Sequence, residues 1–449
     1  MFGERILAYW DDIARDLATV VAIPSVSVPT EGEYPFGKAC ADVLDKAVEL
    51  AQSYGFTAKN VDYYAAHAEY GEGEENAVIM GHLDVVPAGD GWDSDPFTMI
   101  EKDGYYWGRG VADNKGPSII ALHCLRALKD AGIVPKRKIR VVFGAAEEIG
   151  MADMEHYFSK EQHPTMGFTP DGGYGICHCE KGLMRFKVTG AASPIIRTFQ
   201  AGTVVNAVPY KAEADIICTP QEAAACQELA VKGAFECTPI EGGLHILSKG
   251  KAAHAAGPGN GINAASHLIE LLYDVFGDRL GTLFSWIHAS IGLTYDGSLY
   301  GVACSDEVSG PLTFNLGLVD STSFTVDIRY PATLDGKKIS ATLKDKTEDA
   351  GLNFILLSDD APLYLPKDSK LVQLLSGAYQ DITGEECSIY SMGGGTYARQ
   401  MFGNGVAFGA GFPGFPSNAH DRNECTNIEK LKLHAQICLE AMYRLATMD

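Results

Sequence analysis

The sequence has little positive charge and no long apolar segment. Lys and Arg together number 36 against 58 Asp and Glu, which gives a formal net charge of −22 in a chain of 449 residues. This balance argues against nucleic acid as a partner, because phosphate binding needs a basic face that releases counterions. Anionic membrane surfaces are disfavoured for the same reason. No run of about 18 apolar residues occurs, so we expect no membrane-spanning helix.

Motifs of several other protein classes are also missing. The eleven cysteines include no Cys-x-x-Cys pair, and such scattered thiols are typical of a reducing cytosol. Residues 1–23 have the pattern of an amphipathic helix rather than of a signal peptide, so a cytoplasmic protein is expected. Neither a Gly-x-Ser-x-Gly elbow nor a Walker loop is present. The sequence therefore lacks the motifs that serine hydrolases and nucleotide triphosphatases need for catalysis.

The remaining composition is that of a globular protein, with 46% hydrophobic and 21% charged residues. A chain of this length should hold two or three domains. Helix and strand patterns alternate over residues 1–182, give way to alternating strands mixed with helices over 183–365, and resume over 366–449. We therefore predict an α/β domain with a mostly parallel sheet flanked by helices, built from the first and last ranges, and an inserted α+β domain between them.

Polar residues follow the predicted strands at the ends where open α/β sheets bind ligands. His82 and Asp84 come after an apolar run at residues 77–80, and on an extended segment both project from one face. His82 could then bind a metal while Asp84 accepts a hydrogen bond from its other ring nitrogen. Asp113 lies between two glycine-rich turns directly before a predicted helix, where the simpler interpretation is an N-terminal cap.

The same pattern recurs further along the chain. Glu147 and Glu148 follow the strand predicted at residues 139–143, Asp171 follows the one at 166–168, and His420 lies in a polar segment near the C-terminus. Two imidazoles and three carboxylates suit two divalent ions that share one carboxylate, and mixed nitrogen and oxygen ligands favour Zn²⁺ or Mn²⁺ over Ca²⁺. Glu147 is left as the base that takes a proton from water.

In order and spacing these residues resemble the M20 family of co-catalytic metallopeptidases over nearly the whole chain. The motifs concerned are His82-x-Asp84, Gly108-Arg109-Gly110-x-x-Asp113-x-Lys115-Gly116, Glu147-Glu148-x-Gly150, Thr169-Pro170-Asp171 and the late His420. Further likeness to the PepV-type dipeptidases comes from the long middle domain and from Gly91-Trp92, Glu180-Lys181-Gly182 and Gly393-Gly394-Gly395-Thr396-Tyr397.

The resemblance implies specific roles. The metal ligands would be His82, Asp113, Glu148, Asp171 and His420, with Asp113 bridging two ions, Zn²⁺ first and Mn²⁺ as the alternative. Glu147 would be the general base, and Asp84 would support His82. One departure is Asn114, where relatives often carry a second Asp.

The inserted domain resembles the lid of that family. His254 would stabilise the oxyanion, although without the resemblance the preferred interpretation is a histidine packed beside the glycine-rich turn that follows it. Asn206 would be a second substrate contact. Arg329 could hold a substrate carboxylate in a bidentate pair, whereas most arginines at strand ends form surface ion pairs. The loop containing Gly394, Gly395 and Thr396 only superficially fits a dinucleotide fingerprint, and its amides would suit a carboxylate.

These expectations combine into one predicted function. The chain would be a cytoplasmic metallopeptidase that hydrolyses dipeptides, of the form Xaa-Xaa or β-Ala-Xaa, with small peptides as substrates and neither nucleic acid nor membrane as a partner. An N-acyl amino-acid amidohydrolase, either a deacylase or a desuccinylase, is the alternative that uses the same metal site. The enlarged lid favours a monomer, with a homodimer as the other arrangement.

Overall fold

The protein is described by a computed structural model over residues 1–231 and 233–448. Its chain divides into two units. The first unit comprises Met1–His178, Leu363–Tyr390 and Gly395–Asp449, and the second comprises Cys179–Pro362 and Ser391–Gly394. The chain therefore enters the second unit twice.

The helices are regular and of ordinary length. In chain order the α-helices are α1 (Trp10–Val21), α2 (Lys38–Ser53), α3 (Lys115–Asp130), α4 (Ala152–Lys160), α5 (Pro220–Ala230), α6 (Ala264–Phe276), α7 (Thr282–Ser290), α8 (Gly336–Asp349), α9 (Lys370–Thr383) and α10 (Ile428–Thr447). Short 3₁₀ helices occupy Phe2–Tyr9, Glu147–Ile149, Pro258–Asn260, Gly277–Leu280 and Tyr397–Met401. Within the described ranges no helix is both long and apolar enough to cross a membrane.

The strands fall into two large sheets and two small ones. In chain order they are β1 (Thr57–Val61), β2 (Ala65–Tyr70), β3 (Asn76–His82), β4 (Ile100–Lys102), β5 (Tyr105–Trp107), β6 (Lys138–Gly144), β7 (Met166–Thr169), β8 (Ile176–Glu180), β9 (Gly182–Thr189), β10 (Ile196–Ala201), β11 (Lys211–Ile217), β12 (Phe235–Ile240), β13 (Gly243–Lys249), β14 (Ser305–Asp306), β15 (Gly310–Pro311), β16 (Thr313–Asp320), β17 (Ser323–Tyr330), β18 (Asn353–Asp360), β19 (Leu363–Tyr364), β20 (Ile389–Met392), β21 (Gly405–Phe408) and β22 (Cys425–Asn427).

The first large sheet has the order β1-β2-β6-β3-β7-β21-β8-β19, with β20 beside β8. Its centre is parallel, since β3 pairs in parallel with β6 and β7, and β7 with β21. The edges are antiparallel, because β2 runs against β6 and β8 against β21. All residues of β3 are buried, as expected for a strand that is covered on both faces. The predicted mixed α/β fold with a parallel sheet and flanking helices is confirmed.

The helices of the first unit cover this sheet through apolar faces. Helix α3 packs against β3 and β6, and α10 packs against α3 and the Phe2–Tyr9 turn. The N-terminal 3₁₀ turn is fixed by a hydrogen bond of 3.0 Å from the Gly3 amide to Glu440 Oε2. Burial of this kind, at about 25 cal/mol per Å² of apolar surface, is the main stabilisation available to a sheet of this size.

The second unit is built around an antiparallel sheet of order β12-β13-β11-β10-β16-β17-β9-β18. Helix α6 packs on β11 and β13 and contacts α5 and α7. In β9 the buried Met184, Phe186 and Val188 alternate with partly exposed residues, as expected for a strand with one covered face.

The second unit includes one short segment from late in the chain, Ser391–Gly394. Hydrogen bonds explain this placement, because the Lys181 amide donates to Met392 O at 3.0 Å and Arg329 Nη1 donates to Gly393 O at 3.0 Å. Such contacts between distant parts of the chain leave no periodic signal in the sequence.

Candidate metal centre

The predicted metal ligands lie at one edge of the first sheet. His82 ends β3, Asp171 follows β7, and Glu148 lies in the 3₁₀ turn after β6. Because these three strands are parallel neighbours, their carboxyl ends meet. Asp113 enters from the loop before α3, and His420 enters from the loop before β22.

Two groups of ligand atoms form there and share Asp113. In the first, His82 Nε2 lies 3.2 Å from Asp113 Oδ1 and 3.7 Å from Asp171 Oδ2. In the second, His420 Nε2 lies 3.0 Å from Asp113 Oδ2 and 3.1 Å from Glu148 Oε2. Within each group the ligand atoms lie within 4.8 Å of one another. Each oxygen of Asp113 therefore faces a different group.

The donor chemistry of these residues fits divalent metal ions. Imidazole nitrogens with carboxylate oxygens suit Zn²⁺ and Mn²⁺. Glu148 Oε1 is buried and has no hydrogen-bond partner, and a buried carboxylate oxygen without a donor is costly unless a cation can reach it. The residues that the structure brings together can thus hold metal.

The electrostatics of the site favour positive charge. Burial alone would raise the pKa of Asp113, but its contacts with His420 and His82 hold that pKa well below its usual range. Contacts with Asp113 and Glu148 raise the pKa of His420 to about 11. A site that holds imidazoles in their cationic form is equally a site that attracts metal cations.

Glu147 differs from the ligands beside it. Burial, followed by the negative charge of Asp171, raises the pKa of Glu147 well above the ordinary carboxyl value. A carboxylate with a raised pKa accepts a proton near neutral pH, which is the property that a general base needs.

Asp84 contacts other parts of the candidate metal centre in addition to His82. His82 Nδ1 lies 3.0 Å from the backbone oxygen of Asp84 and 3.4 Å from its carboxylate. The carboxylate accepts hydrogen bonds from the amides of Glu147 and Glu148, each at 3.2 Å, and from Ser27 Oγ at 2.9 Å. The expected partner of His82 is therefore mainly the Asp84 carbonyl, while the Asp84 side chain fixes the turn that carries the two glutamates.

Glu424 is a functional residue that the sequence reasoning did not single out. Its carboxylate is buried and accepts hydrogen bonds of 3.0 Å from the amides of Gly110, Ala112 and Asp113. Arg109 Nη1 donates a fourth at 2.9 Å. Glu424 therefore fixes the loop that presents Asp113, and its only signal in the sequence is its position four residues after His420.

A second buried carboxylate, that of Asp153, fixes the loop that leads from β6 to Glu147. Asp153 Oδ2 accepts hydrogen bonds from the amides of Ala145 at 2.8 Å and Ala146 at 3.0 Å, and from the Tyr397 hydroxyl. A Cβ atom on Gly144 would lie 1.9 Å from that hydroxyl oxygen, so only glycine fits there. Tyr397, predicted merely as part of a glycine-rich loop, thus packs beneath the centre.

Asn114, the departure from the family pattern, has a structural role. Its Nδ2 donates to Pro170 O at 2.8 Å, and its Oδ1 accepts from Ser118 Oγ at 3.1 Å. It joins the loop of Asp113 to the segment after β7, which contains Asp171. An amide serves here because one partner is an acceptor and the other a donor.

The predicted lid residues lie in the second unit. The segments of Asn206 and His254 pair through the amide of Ala255, which donates to Asn206 O at 2.9 Å. Burial, followed by the charge of Arg329, lowers the pKa of His254, which keeps its imidazole neutral near pH 7.

Arg329 already has an acidic partner. Its Nε donates to Asp327 Oδ1 at 2.6 Å and its Nη2 to Asp327 Oδ2 at 3.2 Å. Arg329 thus makes a bidentate contact with Asp327, and its Nη1 donates to Gly393 O. The contact with a substrate carboxylate stays a prediction.

Of the remaining loop residues, Gly394 lies in the second unit and Gly395 and Thr396 lie in the first. The Thr396 side chain accepts from the Ala398 amide at 3.1 Å and caps the Tyr397–Met401 turn.

Comparisons with known proteins identify the family of this chain. The profile of the Peptidase family M20/M25/M40 matches residues 78–444. The Bacillus subtilis (strain 168) protein called "Putative dipeptidase YtjP" is 34% identical over 97% of both chains. The Staphylococcus saprophyticus protein called "Putative dipeptidase SSP1012" is 31% identical over 100% of both. The chain belongs to this peptidase family, and it is a metallopeptidase that acts on peptide bonds.

Solved structures show the same fold at lower identity. The dipeptidase Dug1p from Saccharomyces cerevisiae matches 100% of this chain and 98% of its own, with a TM-score of 0.59 and 14% identity. Human carnosine dipeptidase 1 matches 98% of both chains, with a TM-score of 0.58 and 16% identity. Both likenesses support the architecture described above.

Proposed function

We propose that the protein hydrolyses the peptide bond of dipeptides at a centre of two divalent metal ions. The observation that carries this proposal is the Asp113 carboxylate, which turns one oxygen towards each of two ligand groups. The partly buried Glu147 follows the same strand as Glu148. The dipeptidase names of the relatives support the substrate class.

Each group would hold one ion. His82, Asp113 and Asp171 would bind the first, and Asp113, Glu148 and His420 the second, with Zn²⁺ as the expected metal and Mn²⁺ as the alternative. When bound, such ions polarise the scissile carbonyl and make water more acidic.

Glu147 is the proposed general base. It takes a proton from the attacking water and later gives it to the leaving amine. The Asp84 carboxylate holds the amides of the Glu147 turn, so the base keeps one position during turnover.

The substrate contacts would come from the second unit and the glycine-rich loop. His254 is proposed to stabilise the oxyanion, and its lowered pKa leaves a neutral imidazole that can donate one hydrogen bond. Asn206 is the second proposed contact. Arg329, Gly394, Gly395 and Thr396 are proposed to anchor the substrate's terminal carboxylate, and Arg329 Nη1 donates to Gly393 O, the residue next to Gly394.

The subgroup of the peptidase family to which the chain belongs is also a proposal. We assign the chain to the PepV-type dipeptidases because of its large second unit, Cys179–Pro362, and we expect a monomer in the cytoplasm. The cysteines support a reducing compartment, since all eleven are free thiols.

The test is a substrate panel on metal-refilled protein. The protein is freed of metal with a chelator, refilled with Zn²⁺ or Mn²⁺, and assayed on Ala-Ala, β-Ala-His, N-acetyl-Ala and N-succinyl-Ala. We expect the chelated protein to be inactive and the refilled protein to cleave the two dipeptides. Preferential hydrolysis of the N-acyl compounds would instead establish the amidohydrolase function, and activity that survives complete metal removal would contradict the proposal.

A further inference from the structure

A cavity of about 260 Å³ lies in the first unit beside the candidate metal centre. It opens at the carboxyl ends of β7 and β21, and the start of α10 forms its far side. Asp113 and Asp171, which belong to the metal centre, form part of its wall. This volume is below the about 300 Å³ at which pockets for drug-sized ligands begin, and it is sufficient for one amino-acid side chain.

Most of the cavity wall is apolar. It includes Ala112, Pro117, Pro170, Phe412, Phe415 and Leu431. Lys430, in the first turn of α10, places its ammonium 5.2 Å from the ring centre of Phe412 and 4.7 Å from that of Phe415. This cation–π contact holds both rings and puts a positive charge at the cavity.

We propose that this cavity binds the side chain of the substrate's amino-terminal residue and selects an apolar one. The inference rests on the proposed dipeptidase function. The scissile carbonyl belongs to the amino-terminal residue, whose side chain is attached one carbon away, so a cavity that shares two walls with the metal centre lies within its reach. Lys430 would disfavour a basic side chain, since like charges repel strongly in a partly buried site.

The first test is the wild-type specificity profile. Dipeptides of the form Xaa-Ala, with Gly, Ala, Leu, Phe or Lys first, are compared with an Ala-Xaa series. Burial of one methylene favours binding about fourfold, so kcat/KM should rise at least about tenfold from Gly-Ala to Leu-Ala, and Lys-Ala should rank below Leu-Ala. The Ala-Xaa series should vary less.

Variants of Phe412 and Phe415 test whether these two rings cause the preference for an apolar first side chain. Phe412→Ala and Phe415→Ala should each lower the ratio of Leu-Ala to Gly-Ala turnover by about tenfold, because removal of a ring leaves the substrate side chain in contact with water. The matched control is Phe402→Ala, whose ring lies in the same unit, is 53% exposed and is absent from the cavity wall. It should leave the ratio unchanged.

A binding measurement separates recognition from chemistry. In the Glu147→Gln protein, which should bind without turnover, calorimetry should give a lower dissociation constant for Leu-Ala than for Gly-Ala, again by about tenfold. Cleavage of dipeptides with a flat Xaa-Ala profile, or ring variants that affect all substrates equally, would overturn the cavity assignment alone. Failure to cleave any dipeptide would overturn both this inference and the proposed function. If Phe412→Ala does not fold, the wild-type profile and Phe415→Ala decide.

Discussion

At the scale of single residues, the candidate metal centre depends on carboxylates that would bind no metal themselves. Three such carboxylates are buried, those of Asp84, Glu424 and Asp153. Each accepts hydrogen bonds from backbone amides of a loop that carries a candidate ligand or the proposed base. These hydrogen bonds fix the loops, and loss of a residue that orients a metal ligand typically lowers metal affinity about 10- to 100-fold.

Glu424→Gln tests this support. One oxygen of Glu424 serves two amides and the other serves an amide and Arg109, so a glutamine would turn an N–H group towards donors on one side. We expect metal affinity to fall about 10- to 100-fold, as measured by competition with a chromophoric chelator. Glu429→Gln, an exposed site in the first turn of α10, is the control and should bind metal normally. Equal affinity in both variants would contradict the role of Glu424.

At the scale of elements, apolar runs that end in polar residues were sufficient to predict β3, β6 and β7 and the residues that follow them. Strands β1 and β2 were not predicted. Only Val61 is buried in β1, and β2 buries three alanines and His67, which have little intrinsic preference for strands. Pairing with β6 places β2 in the sheet, and no local pattern encodes that contact.

The candidate metal centre likewise has residues that the sequence predicted and residues that it did not. The residue types and spacing of the five candidate ligands were visible in the sequence, whereas the supports from Glu424 and Asp153 were not. Asp153 lies eight residues from Ala145 and 244 from Tyr397, and both contacts depend on the folded loops. Hydrogen bonds between distant loops have no period, so they can be found only in the structure.

The N-terminal cap of α6 supports a prediction at this scale. The Asn263 side chain accepts from the amides of Ala265 and Ser266 and donates to Leu316 O at 2.8 Å, all in buried surroundings. Asn263→Ala should therefore remove a cap worth about 1 kcal/mol and leave a buried carbonyl without a donor, a loss of about 3 kcal/mol in all.

Hydrogen–deuterium exchange of the α6 amides measures this loss. The comparison is Asp335→Ala, which removes the exposed cap of α8, a single bond of 3.0 Å to the Lys337 amide. That change should cost about 1 kcal/mol in α8. If the two helices lost equal stability, the buried bond to Leu316 would contribute nothing.

At the scale of the whole molecule, the net charge of −22 is mostly carried by exposed side chains, and a small part of it converges on the metal centre. The protein also contains a buried histidine, His434, whose protonation should affect the stability of the fold. His434 is fully buried, is hydrogen-bonded to the Tyr174 hydroxyl at 2.8 Å, and has its pKa lowered by burial to about 3.

This burial predicts sensitivity to acid. Above the ordinary histidine pKa of 6.5, His434 is neutral in both folded and unfolded chains and adds no pH dependence. Below 6.5 only the unfolded chain takes up the proton, so the free energy of unfolding should fall by about 1.4 kcal/mol per pH unit until the folded pKa is reached.

Denaturant unfolding between pH 7.5 and 4, on metal-free protein, isolates this contribution when wild type is compared with His434→Gln. The variant should be less stable at pH 7.5, because it disturbs a packed site, yet lose less stability on acidification. Parallel curves for the two proteins would show that folding does not lower the pKa of His434.

The central claim is that Glu147 acts as the base of a two-metal hydrolase, and Glu147→Gln tests it most directly. Metal content by mass spectrometry and dipeptide turnover are measured on the same sample, with Glu155→Gln, an exposed carboxylate on α4, as the matched control. We predict two metal ions per chain in wild type and both variants, and a fall in kcat of about 10²- to 10⁴-fold only in Glu147→Gln. Turnover near that of wild type in a fully metal-loaded Glu147→Gln protein would contradict the account.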